Sequence, residues 1–411
     1  MADTPQDIAR LRDPVGHDVH TGLAAAYLFL LPLATTPKDV AAGALLAWAL
    51  IRLRRTWSGY TVLVRDRLLW LLAAWAAWHA LSLLWTPDVA AGWDELQAFR
   101  VLVTPLVLWP ILDRAPWLVG ALLAGVLAQN LVQLGQGLEI FGLEPAHNHR
   151  LPGLIHPIQT GAFCVAAMCW HTGALLRHHG VARRRTLLTG ASVIGLAAAT
   201  GGLVFAGSRG PWIAAIAVPL GLVDTAVRRP RSRRPAMVLA AIGLVGAGAV
   251  WLAAGDFIER RVHQAVTEVQ AAVAGDYDSD TGQRLARWSA AWAVFLDRPF
   301  AGAGTGGYAP AREALGLGGS GASGNHAHSF TMHELATAGA PGALLLAAIV
   351  AVTLYRANRD RRDHPYVDGT LYALIGWLIG AQFDCYQLAG NMFGLFTFLV
   401  ALTLPHRAST R

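Results

Sequence analysis

In the stretch NHAHSFTMHELATAGAPG, residues 325–342, three imidazoles and a carboxylate stand directly against a long apolar run. An ordinary imidazole has a pKa of about 6.5, so a neutral histidine at such a border is suited to accept a proton near neutral pH. His328 is the candidate base, and Ser329 behind it can help to cap the incoming helix. His326 supports the loop, or stands in as the base. A metal site would want ligands gathered on one face, but His326 and His328 are two apart, no H-E-x-x-H occurs, and His333-Glu334 lacks a histidine four residues on. The spacing predicts no bound metal and no cofactor.

Arginines supply the complementary chemistry, the holding of an anion. Arg209 lies in FAGSRGPW, between Ser208 and Gly210, in a short turn joining two apolar segments. A charge at that depth is costly enough to favour a functional role, and its alternative is a guanidinium that snorkels to lipid headgroups. Arg284 begins the amphipathic stretch DTGQRLARWSAAWAVFLDRP. There a helix N-terminus and a bidentate fork would act together on an anion, unless the residue merely solvates the helix face. Arg287, one turn on, assists or contacts headgroups. In EPAHNHRLPGLIHPIQTG, residues 144–161, His156 and Gln159 precede a further apolar segment and line a substrate entrance or an ordinary interfacial loop. Arg100 and Asp384, near other helix ends, stay undecided.

Several familiar patterns point nowhere. GAGTGGY, residues 302–308, lacks the strand and helix of a phosphate loop and reads as a flexible return to the membrane. Asp278 and Asp280 sit in a polar turn, where Asp280 can cap the helix that follows. Cys164, Cys169 and Cys385 form an odd set in or beside apolar segments, which implies neither a disulfide framework nor a zinc site.

These groups must be carried by elements that cross a bilayer. The 411 residues are 54% hydrophobic and 14% charged, which predicts an all-α polytopic membrane protein. Twelve apolar stretches are centred on Tyr27, Leu45, Ala74, Leu106, Leu127, Ala166, Ile194, Ile216, Leu244, Leu345, Ile375 and Phe396. The organisation expected is spans one to nine over 1–254, an external helical loop over 255–328, and spans ten to twelve over 329–411. In that loop, Ile258, Val262, Val266, Val269 and Val273 recur near helical period, and Leu285, Trp288, Trp292 and Phe295 make a second stripe before Pro299.

Charge decides the orientation. Lys38 is the single lysine, and the arginine-rich runs RLRRTWSGYTVLVRDR, RHHGVARRR, VRRPRSRRP and RANRDRRDHP fall in every second major loop, placing those loops and both termini in the cytoplasm. DTPQDIARLRDPVGHDVH is then an uncleaved start. The net charge of +7 belongs to arginines that flank membrane segments, so its partner is membrane lipid and not nucleic acid.

His328-Ser329, nine residues, then Gly339 and Gly342 resembles the His-[Asn/Ser/Gln]-x9-Gly-x2-Gly pattern of the O-antigen ligases of lipopolysaccharide assembly, within a wider ligase and polymerase superfamily. SRG at 208–210 and QRLARW…DRPFAGAGTGGY at 283–308 are similar to that superfamily's turn and external loop, in the same order. The motifs cover the second half of the chain and the layout covers all of it. One departure is that Thr337 and Ala338 stand where many relatives carry an acid.

The resemblance implies a GT-C-like fold of about twelve transmembrane helices with one large periplasmic helical loop. It implies a glycosyltransferase of the bacterial inner membrane, with its active site facing the periplasm. The donor is an undecaprenyl-pyrophosphate-linked glycan and the acceptor a sugar hydroxyl of lipid A-core. Arg209 and Arg284 would stabilise the pyrophosphate and His328 would take the hydroxyl proton, in an inverting, metal-independent displacement. Many membrane glycosyltransferases hold a metal through acids in their first external loop, where this chain has TTPKD, with Asp39 alone. Alternatives are an O-antigen polymerase, a protein O-oligosaccharyltransferase and a polytopic transporter or flippase. Against the last, polar residues gather at the external edge and no matched pair of broken helices divides the chain into halves.

Overall fold

The computed structural model describes residues 5–140, 150–177, 182–317, 324–359 and 367–405, and its regular elements are helices. The first seven are α1 (Pro5–Arg12), α2 (Pro14–Leu30), α3 (Thr35–Tyr60), α4 (Arg67–Ser82), α5 (Val89–Gln97), α6 (Thr104–Leu108) and α7 (Ala115–Gly137), with six-residue 3₁₀ pieces joining α5, α6 and α7. Next come α8 (Pro157–Arg177), α9 (Ala182–Ala206), α10 (Arg209–Ala214), α11 (Ala217–Arg228) and α12 (Pro230–Val273). The last are α13 (Asp280–Asp297), α14 (Tyr308–Ala314), α15 (Phe330–Arg359), α16 (Val367–Gly380) and α17 (Gly390–Ala401). Parts of the loops named above, at 141–149, 178–181, 318–323 and 360–366, lie outside the described residues.

Eleven of the twelve apolar centres fall inside helices, and Ile216 sits in the two-residue break between α10 and α11. Among the described residues four helical stretches are long and apolar enough to cross a membrane: Val89–Gly137, Thr186–Ala206, Arg209–Arg228 and Phe330–Arg359. Shorter apolar helices follow at Gly369–Phe383 and Gly390–Ala401. Between helices in lipid, close packing and interhelical hydrogen bonds replace the aqueous hydrophobic effect. The core shows this in Trp75, whose ring lies 4.8 Å from that of Phe99 and 5.9 Å from that of Phe393, while its indole N–H donates to Glu334 at 2.8 Å.

α12 continues without a break through Gly255 to Val273, so the ninth apolar stretch and the first amphipathic one form a single rod. Its valine stripe is not the buried face: Val262 and Val273 are 57% and 83% exposed and Val269 only borders a cavity, whereas Glu268 and Ala272 are turned inward. On α13 the buried face is Ala290, Ala291 and Val294, with Trp292 exposed. Ser279, and not Asp280, caps this helix, its hydroxyl accepting from Gly282 N at 3.0 Å. The serine wins because it occupies the extended position one residue before the first helical one.

GAGTGGY is not a flexible return. Residues 302–308 are all buried, and Thr305 Oγ1 lies 2.8 Å from both His79 Nδ1 and Ser82 Oγ at the end of α4. Gly306 has φ +76°, and a Cβ there would stand 2.1 Å from Gly92 N, so the run is glycine-rich because backbones meet. This loop also supports α15. Gly339 leaves the helical conformation (φ 64°, ψ −166°), and the freed Ala336 and Thr337 carbonyls accept from Ala303 N at 2.8 Å and Gly304 N at 2.9 Å. At Gly342 a Cβ would meet Glu334 Oε1 at 2.8 Å. Both motif glycines therefore serve the seating of α15, the helix that begins two residues after His328.

Candidate active site

The turn after α9 is made by Gly207 at φ +58° and extended Ser208, which places Arg209 at the first position of α10. Its guanidinium does not float among headgroups. NH1 donates to Glu268 Oε2 at 2.7 Å and to Thr281 Oγ1 at 2.8 Å, and NH2 donates to Glu268 Oε1 at 3.3 Å. Thr281 also donates to Glu268. Burial pushes the Glu268 carboxyl up, but Arg209 and Thr281 outweigh it and hold the group below its ordinary range. The inward turn of α12 thus ends on the arginine of the α9–α10 turn.

Arg284, on the second turn of α13, donates from NH1 to the carbonyl of Phe383 at 2.6 Å, in the link between α16 and α17. One cavity of about 320 Å³ is shared by Arg284, Arg209 and Ser208, together with Thr281, Phe383 and Arg150. Arg150 stands just before α8, where Leu151 N donates to Phe205 O at 3.0 Å and ties that approach to the end of α9. Its Nε is buried without a hydrogen-bond partner. Three guanidiniums from three distant segments therefore border one space.

Next to Phe383, Asp384 reaches the histidine turn. His328 has φ +49°, a left-handed conformation, between fully buried Ala327 and nearly buried Ser329, and its side chain keeps 25% exposure. Asp384 Oδ1 is 3.2 Å from His328 Nδ1, an ion-pair distance whose angle falls short of a regular hydrogen bond. Burial pushes the Asp384 carboxyl up, and His328 together with the Cys385 N–H, 2.9 Å away, outweighs it, so the group stays an anion below the usual range. The Trp288 indole, on α13, donates to the His328 carbonyl at 3.2 Å and fixes the turn from the other side.

His326 lies beside His328 with ring centroids 4.3 Å apart and the rings tilted at 45°, and its Nε2 is 3.9 Å from Asp384 Oδ1. Burial, joined by His328 and His333, lowers its pKa to about 4, so it is neutral at neutral pH. His326, His328 and Asp384 each offer one ligand atom, all within 4.8 Å of one another, and form the grouping that could hold a cation. Residue spacing hides it because the third member arrives from the α16–α17 link.

The remaining sequence candidates separate. Arg287 donates to Gln283 Oε1 at 3.3 Å, approaches Gly324, and is not part of the cavity wall. Exposed His156 lies in the field of Asp384, Arg150, Arg284 and His328 but is not part of the cavity wall, and half-buried Gln159 lies in the first turn of α8. Arg100 pairs with Asp39 at 3.0 Å, away from this group. His333 and Glu334 belong to packing beneath the site: His333 Nε2 is 3.4 Å from Glu95 Oε1, and Glu334 Oε1 is 3.1 Å from His79 Nε2.

Sequence reasoning did not single out Arg150 or Glu268. Arg150 was legible only as one more charge in a polar loop, and Glu268 sits inside a stretch whose valines suggested a different inward face. Residues 194–347 match the family model described as O-antigen ligase, a stretch that holds Arg209, Glu268, Arg284, His328 and both motif glycines. Arg150 and Asp384 lie outside it. No curated protein matches the chain.

Proposed function

We propose that this chain, similar over 194–347 to the O-antigen ligase family, moves a glycan from undecaprenyl pyrophosphate to a sugar hydroxyl of lipid A-core. The observation that carries the reading is the cavity bordered by Arg209, Arg284 and Arg150, whose Phe383 wall continues into the Asp384–His328 pair. An acceptor hydroxyl attacks the anomeric carbon as the bond from that carbon to the pyrophosphate oxygen breaks. The hydroxyl proton passes to His328, the leaving pyrophosphate carries away the electron pair, and the configuration inverts.

Negative charge builds on the departing diphosphate, and fixed guanidiniums stabilise it without the need to reorganise water. Asp384, anionic beside Nδ1, favours the tautomer that leaves Nε2 open and then stabilises the imidazolium. Twelve spans with both termini in the cytoplasm would put this end of the bundle in the periplasm, where such a lipid-linked donor is presented. The His326–His328–Asp384 grouping acts in this reading as a proton-handling site and not a metal site.

The test uses purified full-length protein, lipid-linked glycan donor and lipid A-core. His328→Ala should lower transfer by about 10² to 10⁴ while leaving expression and unfolding temperature near wild type. Retained activity in that variant would remove the proposed base. A polymerase would draw on the same residues, and a deletion strain separates the two: full-length polymer stranded on the lipid carrier means ligase, and core bearing single repeats means polymerase.

A further inference from the structure

A second cavity, of about 500 Å³, lies at the other end of the bundle from Arg209 and His328. Its walls are the last half of α3, the turn at Leu63–Arg65, the first half of α4 and residues 103–107. α4 fixes the separation. Leu69, Trp70 and Ala73 line this cavity, whereas His79 and Ser82, two to three turns further along at about 5.4 Å per turn, hold Thr305 beneath the candidate active site.

The lining is hydrocarbon in character throughout. Its polar handles are largely turned to backbone: the Tyr60 hydroxyl donates to Leu106 O at 3.0 Å, and the Trp70 indole donates to Val64 O at 2.7 Å. Water entering such a space would find few partners, and an apolar chain would lose nothing. Trp57 and Trp70, 61% and 63% exposed, stand at its border, a position suited to rings with one apolar and one wet edge.

The charges around it are unevenly used. Between residues 40 and 87 the chain carries Arg52, Arg54, Arg55, Arg65 and Arg67 against one acid, Asp66. Arg52 and Arg55 both bind Asp13, at 2.9 and 2.8 Å, and Asp66 is taken by Arg356 at 2.9 Å. Arg54, Arg65 and Arg67 are exposed and have no ion-pair or hydrogen-bond partner among the described residues. Arg54 adjoins Leu53 of the wall, Arg65 adjoins Val64, and Arg67 opens the helix that supplies Leu69 and Trp70.

We propose that this is a binding site for an anionic glycerophospholipid of the surrounding membrane, with one acyl chain in the cavity and the phosphate held by Arg54, Arg65 and Arg67. The apolar slot alone would take any hydrocarbon. Three unpaired guanidiniums beside it select a headgroup with net negative charge, each contributing in the range usual for basic side chains at an anionic surface. The site is independent of the transfer chemistry and stands whichever way that is decided.

Native mass spectrometry of the delipidated full-length protein tests this, with phosphatidylglycerol and phosphatidylcholine of identical acyl chains as probes. The wild type should retain the anionic lipid with a preference of about tenfold or more, reduced by salt. Replacing Arg54, Arg65 and Arg67 together by alanine should abolish the preference and leave weak, equal binding of both lipids. Ala73→Phe, at an exposed position that lines the cavity, should weaken both lipids while keeping the preference. Equal retention by the wild type overturns the proposal. So does anionic binding that survives the triple replacement, binding untouched by Ala73→Phe, or a second copy of the chain found on this face in place of lipid.

Discussion

Asp384 Oδ1 lies 3.2 Å from Nδ1 of His328, across the gap between the α16–α17 link and the turn before α15. That distance sets a carboxylate beside one ring nitrogen, where it can fix the tautomer and orientation of the imidazole. Asp384→Asn keeps the shape and removes the charge. The expected result is a fall in kcat of about 10² or more with the donor KM little changed, read from steady-state transfer. An unaltered kcat would take Asp384 out of the mechanism.

Arg209 is engaged before any donor arrives, since both terminal nitrogens serve Glu268. A diphosphate must compete with that carboxylate for the same fork. In Glu268→Gln the competitor is neutral, so the donor KM should fall several-fold, in keeping with the loss of a charge-assisted hydrogen bond. A raised KM would show instead that Glu268 orients the guanidinium for the donor.

Three potential ligand atoms within 4.8 Å of one another invite a direct check for metal. Incubation with EDTA and removal of the chelator should leave the transfer rate of wild-type protein unchanged. Loss of activity that magnesium, manganese or zinc restores would convert the His326–His328–Asp384 grouping from a proton-handling site to a cation site.

Gly339 tests the support beneath the histidine. With φ at 64° and a would-be Cβ 2.4 Å from Phe300 O, alanine there meets both a disfavoured backbone conformation and a clash. Gly339→Ala should destabilise by about 2 kcal/mol or more, measured as a lower unfolding temperature in detergent and lower yield from membranes. Wild-type stability would mean that the break in α15 is not required.

The order and placement of the helices were legible in the sequence because the signals are local. A run of apolar residues must close its own backbone hydrogen bonds in lipid, so composition alone marks the rods. Arg209 and His328 stood out for the same reason, each being a polar group at an apolar border where its cost is visible from its immediate neighbours, and Arg284 stood out by its place near the start of an amphipathic helix. The glycines of the 302–308 loop misled because their spacing is equally that of a mobile linker, and only the close approach of Gly302 to Thr337, Gly304 to Thr86 and Gly306 to Gly92 gives them another cause.

Partnership was decided by the tertiary structure. That Glu268 faces Arg209 depends on how α12 rotates against α10 and α13, and nothing along α12 distinguishes it from a solvated acid. Arg150 joins Arg209 and Arg284 because the approach to α8 is bonded to the end of α9, and Asp384 reaches His328 because two apolar helices bring their link to the same end of the bundle. A sequence alone specifies which groups are too expensive to leave unexplained. Which of them meet is set by packing between segments far apart in the chain, and the electrostatics of the site follow from those meetings.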